Sequence, residues 1–157
     1  TDTFEVLIRP KNRHGVDFDI DPLFTELTGL TPEAIASDGV SLQQALQALA
    51  RFADEATLWS WGKDELNLMA MSCYIAGVTP VIPAHRFGNA CKLLIEAGMP
   101  YEDIKMTRSN KLSVYYGIQH PPLRPHNALD DALSVAYVLQ HLLRTGKLIK
   151  EALLNIG

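Results

Sequence analysis

The chain has little of what marks several large protein classes. It holds only two cysteines in 157 residues, Cys73 and Cys91. A disulfide scaffold needs more, so both are expected to be buried thiols of a reducing compartment, the cytoplasm. No apolar run approaches the roughly 18 residues of a membrane-crossing helix. No charged-then-apolar leader opens the chain. Positive charge is in deficit: 14 Lys+Arg against 18 Asp+Glu leave a net charge of −4. That argues against wrapping long duplex DNA by phosphate neutralisation alone, and leaves room for gripping a few nucleotides through metal ions. No GxGxxG, GxxxxGKS/T or GxSxG motif occurs, and neither cysteine has a CxxC partner. There is no internal repeat and no low-complexity linker. There is also no initiator Met: the chain opens Thr1-Asp2-Thr3-Phe4.

Hydrophobic residues make up 47% and charged residues 20%, which is ordinary globular composition and excludes whole-chain disorder. The length predicts a single domain over 1–157. Thr3–Arg9 alternates and is β-rich, so it reads as a strand ended by Pro10. Lys11–Asp21 reads as a loop. Pro22–Leu27 and Pro32–Ile35 read as short helical turns about the Thr28-Gly29-Leu30-Thr31 break. Ser41 caps an amphipathic helix with Leu42, Ala45, Leu46, Leu49, Phe52 and Ala53 on one face. Ala56–Trp61 is a short buried strand ended by Gly62. A helix then runs from near Asp64 to Ala76 and stops at Gly77. Val81–Phe87 is strand or loop, Asn89–Ala97 helix, and Asn110–Tyr116 a shorter helix. Pro121, Pro122 and Pro125 force an extended lead-in to a long helix from about Ala128 to Leu143. A last amphipathic helix carries Leu148, Ile149, Ala152, Leu153 and Ile156. Strand, helix, strand and then mostly helices predict an α/β layer fold.

The most informative segment is Pro125-His126-Asn127-Ala128-Leu129-Asp130-Asp131-Ala132. On a helix, Asp131 shares its stripe with Val135, Val138 and Leu142, and Asp130 with Ser134, Tyr137 and His141. Asp130 is therefore expected to face solvent and Asp131 the interior. An inward carboxylate needs a partner, either a metal ion or an Arg or Lys. His126 lies about 140° from Asp131 on an ideal helix, so it is expected in the loop ahead of the helix, able to swing beside Asp131. The plainer alternative is a buried, hydrogen-bonded Asp in a helical first turn. The second segment, Trp59-Ser60-Trp61-Gly62-Lys63-Asp64-Glu65, puts two acids where a strand hands over to a helix, the place where α/β folds bind ligands. Acids there also simply favour the positive end of the helix dipole. Trp59 and Trp61 read as core residues, and His14, His85, His120 and His141 show no metal-ligand spacing.

The His126-x-Ala128-x-x-Asp131-Ala132 stretch at the head of a long helix resembles the third motif of the DEDDh 3′–5′ exonucleases, the DnaQ-like or RNase T-like proteins of the ribonuclease H-like fold. Phe4–Pro10 looks like that family's third strand, and Leu27-Thr28-Gly29-Leu30-Thr31-Pro32 like its "LTGIT" turn. Trp61-Gly62-Lys63-Asp64-Glu65 resembles the second motif, especially of the histone-mRNA and small-RNA branch. Leu112 with Tyr115-Tyr116-Gly117-Ile118 fits the approach to the third motif. The resemblance implies a mixed sheet flanked by helices, and a two-metal site for Mg²⁺ or Mn²⁺ held by four carboxylates. Asp131 would be a metal ligand, His126 the general base, and Asp64 or Glu65 the second-motif ligand. The family's spacing lands on Glu65, and a shift of one residue lands on Asp64. Leu30 would pack near the terminal nucleotide of a single-stranded RNA or DNA 3′ end. The family's first motif, Asp-x-Glu, should precede Phe4. Its absence leads us to expect a sequence incomplete at the N-terminus, since half the metal ligands are missing and the chain as it stands would hydrolyse poorly. The rival expectation is an inactive exonuclease-like module that binds nucleic acid, a partner protein or a second copy.

Overall fold

In the computed structural model, residues 2–62 and 64–154 are described. Contacts gather the chain into two compact units, Thr1–Glu55 with Asp64–Ala84 and Ala56–Lys63 with His85–Gly157.

The first unit is helical. Helix α1 (Pro22–Thr28) starts where the Asp21 carboxylate accepts the Leu23 N–H, and ends at Gly29, whose φ of 77° only glycine adopts readily. Helix α2 (Pro32–Asp38) is capped by Thr31. Helix α3 (Leu42–Ala53) opens with a full capping box: Ser41 accepts from the Gln44 N–H while the Gln44 side chain accepts from the Ser41 N–H. Helix α4 spans Asp64–Ala76. Ile35, Ala45, Leu46, Cys73 and Ile82 are buried here, and Cys73 is a free thiol.

The strand expected at Thr3–Arg9 does not form beyond a single parallel bridge, Ile8 to Val40. The Arg9 N–H donates to the Val40 carbonyl at 2.8 Å, and the Val40 N–H to the Leu7 carbonyl at 2.8 Å. The ladder goes no further because Val40 lies between Gly39, which ends α2, and Ser41, which caps α3. Three residues between two helices, two of them caps, offer no second rung.

The second unit holds the paired strands. Strands β1 (Leu58–Ser60) and β2 (Phe87–Asn89) pair in parallel, with Leu58 opposite Phe87, Trp59 opposite Gly88 and Ser60 opposite Asn89. Helices α5 (Ala90–Glu96), α6 (Tyr101–Met106), α7 (Ser109–Tyr115) and α8 (Ala128–Arg144) follow. Their core is Ala90, Leu93, Leu94, Met99, Ile104, Leu112, Val135, Val138, Leu142 and Leu148, with Trp59 and Trp61 packed against it. Both indoles find an acceptor: Trp59 Nε1–H donates to the Leu153 carbonyl at 3.2 Å and Trp61 Nε1–H to the Thr107 carbonyl at 2.8 Å. Gly88 is buried under the Trp59 ring, where a Cβ would stand 2.5 Å from a ring carbon.

The chain is thus helix-rich with a small sheet. That sheet is two-stranded and parallel among the described residues, where a mixed one was expected. Helix α6 was not foreseen: it lasts six residues, too short for a periodic stripe. The final helix is one turn of 3₁₀-helix, Lys150–Leu153, and Ile156 lies outside the described residues. No helix among the described residues is long and apolar enough to cross a membrane.

Candidate functional site at the head of α8

Asn127 caps α8. Its side-chain oxygen accepts the Asp130 N–H at 3.0 Å, and its carbonyl accepts the Asp131 N–H at 2.9 Å. His126, one residue outside the cap, is exposed and takes a φ of 59°. A non-glycine residue in that region is uncommon and marks strain that the surroundings must hold. His126 therefore lies in the loop ahead of the helix, and its charge acts on the Asp131 carboxyl.

The expectation that Asp130 faces solvent is corrected by the structure. Asp130 is the buried one, at 8% exposure, and Asp131 is half-buried. Asp130 is buried because it has a partner. One of its oxygens, Oδ2, accepts both the Arg124 backbone N–H at 2.8 Å and Arg124 Nε–H at 2.9 Å. These bonds, the backbone one foremost, hold its carboxyl below the ordinary carboxylate range. Its stripe is not a solvent face either. Ser134, one turn on, is fully buried against α7, where its hydroxyl accepts the Ser113 N–H at 3.1 Å and donates to Ser113 Oγ at 3.1 Å.

Asp131 shows the need that was expected of an inward carboxylate. Its Oδ1 is buried with no hydrogen-bond partner among the described residues. Burial pushes its carboxyl up, Asp130 adds to that, and His126 opposes it. One carboxylate oxygen with nothing to bind fits one ligand position on a hard cation. It does not make a two-metal set: among the described residues, no three of His, Cys, Asp and Glu gather to hold a metal ion.

The other sequence candidates lie elsewhere. Asp64 and Glu65 are exposed in the first turn of α4, in the first unit, and Lys63 lies outside the described residues. Leu30 is half-buried between α1 and α2 in the first unit, its N–H donating to Thr28 Oγ1 at 3.1 Å. Trp61 and Gly62 do follow β1 directly, and the Gly62 N–H donates to Asn89 Oδ1 at 3.2 Å. The same oxygen accepts the Cys91 N–H at 3.0 Å, so Asn89 both caps α5 and ties down the Trp-Gly turn. Asn89, read from the sequence as the first residue of a helix, is instead its cap. Its signal was an Asn ahead of a helix and after a strand of a parallel pair. The Arg124–Asp130 pairing was passed over, because its partners sit six residues apart across a proline, outside any helical spacing rule.

His120 is satisfied, not ligating. Its Nδ1 lies 2.7 Å from the Pro121 carbonyl, which can only accept, so Nδ1 carries the hydrogen. Nε2 then accepts from the Ser113 hydroxyl at 2.8 Å in the neutral ring, and the ring stacks on Tyr137 at 5.0 Å. Comparison with known protein families, with curated proteins and with solved structures finds no match to this chain.

Proposed function

We propose that the chain is the exonuclease-like part of a metal-dependent 3′–5′ exonuclease of ribonuclease H-like fold, removing nucleotides from single-stranded RNA or DNA ends with Mg²⁺ or Mn²⁺. The observation that carries this reading is the pair at the head of α8: a carboxylate oxygen of Asp131 buried without a partner among the described residues, and His126, strained one residue outside the cap, whose charge acts on that carboxyl. Asp131 would hold a metal ion, which would supply activation of water when bound, and His126 would accept the proton from that water. The parallel β1–β2 pair, with Trp61-Gly62 at the carboxyl end of β1, supports the fold. The roles of Asp64 or Glu65 as second-motif ligand and of Leu30 at the terminal nucleotide rest on the resemblance alone.

The test is a nuclease assay of the full-length protein on 3′-labelled single-stranded RNA and DNA with Mg²⁺. Asp131→Asn and His126→Ala should each lose about 10²-fold or more in kcat, the usual scale for a lost metal ligand or general base. Variants that degrade substrate like the parent would overturn the assignment. Oligonucleotide binding by a parent that cannot cleave would replace it with the inactive binding module.

A further inference from the structure

The segment that carries His126 is closed into a ring by its own flanks. At one end, the Arg124 N–H and Nε–H both reach Asp130 Oδ2, at 2.8 and 2.9 Å. At the other, Asn127 Oδ1 receives the Asp130 N–H at 3.0 Å. Both ends of Pro125-His126-Asn127 are therefore fastened to the same residue of α8.

Three residues spanning a ring of that size must reverse direction. Pro125 cannot supply the reversal, because its ring fixes φ in the ordinary negative range. Arg124, preceding proline, is biased to extended backbone. Asn127 has φ −95° and ψ 119°, the extended conformation a cap requires. The left-handed residue falls on the one position left, His126, at φ 59°. The strain at His126 is thus imposed by the Arg124–Asp130 pairing and the cap together. That pairing is sheltered on one side: the Asp130 side chain is 10% exposed while that of Arg124 is 71% exposed.

We propose that Asp130 and Arg124 are positioning residues for His126: by closing the 124–130 ring they fix the backbone conformation from which its imidazole projects at the head of α8. This inference rests on the exonuclease reading for its catalytic consequence, but its structural content stands apart from that reading. Asp130 does not touch the reacting atoms. It sets where a neighbour does.

The experiment uses the full-length protein with Asp130→Ala, Asp130→Asn and Arg124→Gln. Asn keeps an oxygen able to accept the Arg124 N–H. Gln at 124 removes only the guanidinium and leaves the backbone bond. Two readouts are taken. The first is the His126 ring resonances in the metal-free protein, by ¹H–¹⁵N NMR. The second is single-stranded substrate turnover, with kcat and KM separated. The expected result is a moved or broadened His126 ring signal in Asp130→Ala, with kcat down about 10²-fold and KM within a few-fold of the parent. Asp130→Asn and Arg124→Gln should recover part of both. An unmoved His126 signal in all three variants overturns the inference, as does a loss confined to KM. If Asp130→Ala does not fold, Arg124→Gln decides. If the parent itself has no nuclease activity, the exonuclease reading fails, and the ring signal alone decides the positioning.

Discussion

At the scale of single residues, the two adjacent aspartates show what helical phase can and cannot tell. Phase correctly put Asp131 on an apolar stripe, with Val135, Val138 and Leu142 all buried behind it. It misjudged Asp130, because a stripe of Ser, Tyr and His looks wet until another helix covers it, and because the Arg124 contact is not periodic. The difference has an energetic consequence. An unsatisfied buried oxygen costs about 1–3 kcal/mol. Replacing Asp131 with Ala gains helix propensity and loses a favourable first-turn charge, two effects of comparable size that offset each other. In metal-free protein at pH 7, Asp131→Ala should therefore be as stable as the parent or more stable, by up to about 1 kcal/mol in urea unfolding. The folded-state pKa of Asp131 is raised, so its penalty is absent below the ordinary carboxyl pKa of 3.8 and appears as pH rises through the folded value. The gain from Ala should shrink accordingly on acidification. A large loss of stability in Asp131→Ala would mean that Oδ1 has a partner after all. A residue that costs stability while its removal abolishes turnover would be behaving as a functional group and not a structural one.

At the scale of elements, capped helices long and short and the strand ahead of Gly62 were legible, while the Thr3–Arg9 strand, α6 and the form of the last helix were not. Ser41 announced α3 because cap and stripe agree there, and the proline lead-in with its long stripe announced α8. The Thr3–Arg9 pattern is as regular as any strand's, yet a strand exists only where a partner offers successive rungs, and Val40 offers one. Nothing local to residues 3–9 contains that information. The α7–α8 contact is similar: Ser113 and Ser134 look like surface serines, yet both are fully buried and bonded to each other, with His120 bonded in turn to Ser113. If this link is one unit, its parts should not add. Ser134→Ala removes two buried hydrogen bonds and should cost about 1–3 kcal/mol. His120→Phe keeps a ring over Tyr137 but ends the bond to Ser113, and should cost a similar amount. The double variant should fall short of the sum by about 0.5 kcal/mol or more, measured by denaturant unfolding. Additive losses would show that the hydroxyl pair and the imidazole act separately.

At the scale of the whole molecule, charge constrains how any nucleic acid could be held. Fourteen basic residues against 18 acidic ones give no basic surplus to neutralise a phosphate backbone. A protein that bound single strands through Lys and Arg alone would show a slope of log K against log salt of about −0.7 for each phosphate neutralised. With a net charge of −4, only one to a few such contacts are expected here, so the slope should lie between about −0.7 and −2. The remaining affinity should depend on divalent cations that bridge carboxylate and phosphate. Titrating a fluorescein-labelled single-stranded oligonucleotide into full-length Asp131→Asn, which binds without cleaving, over a range of KCl reads the slope. Repeating it with EDTA reads the bridging. Chelation should weaken binding to the parent more than to Asp131→Asn, since the variant has already lost one bridging oxygen. A steep slope with no response to EDTA would point to a basic surface and away from Asp131 as the place where the strand is gripped.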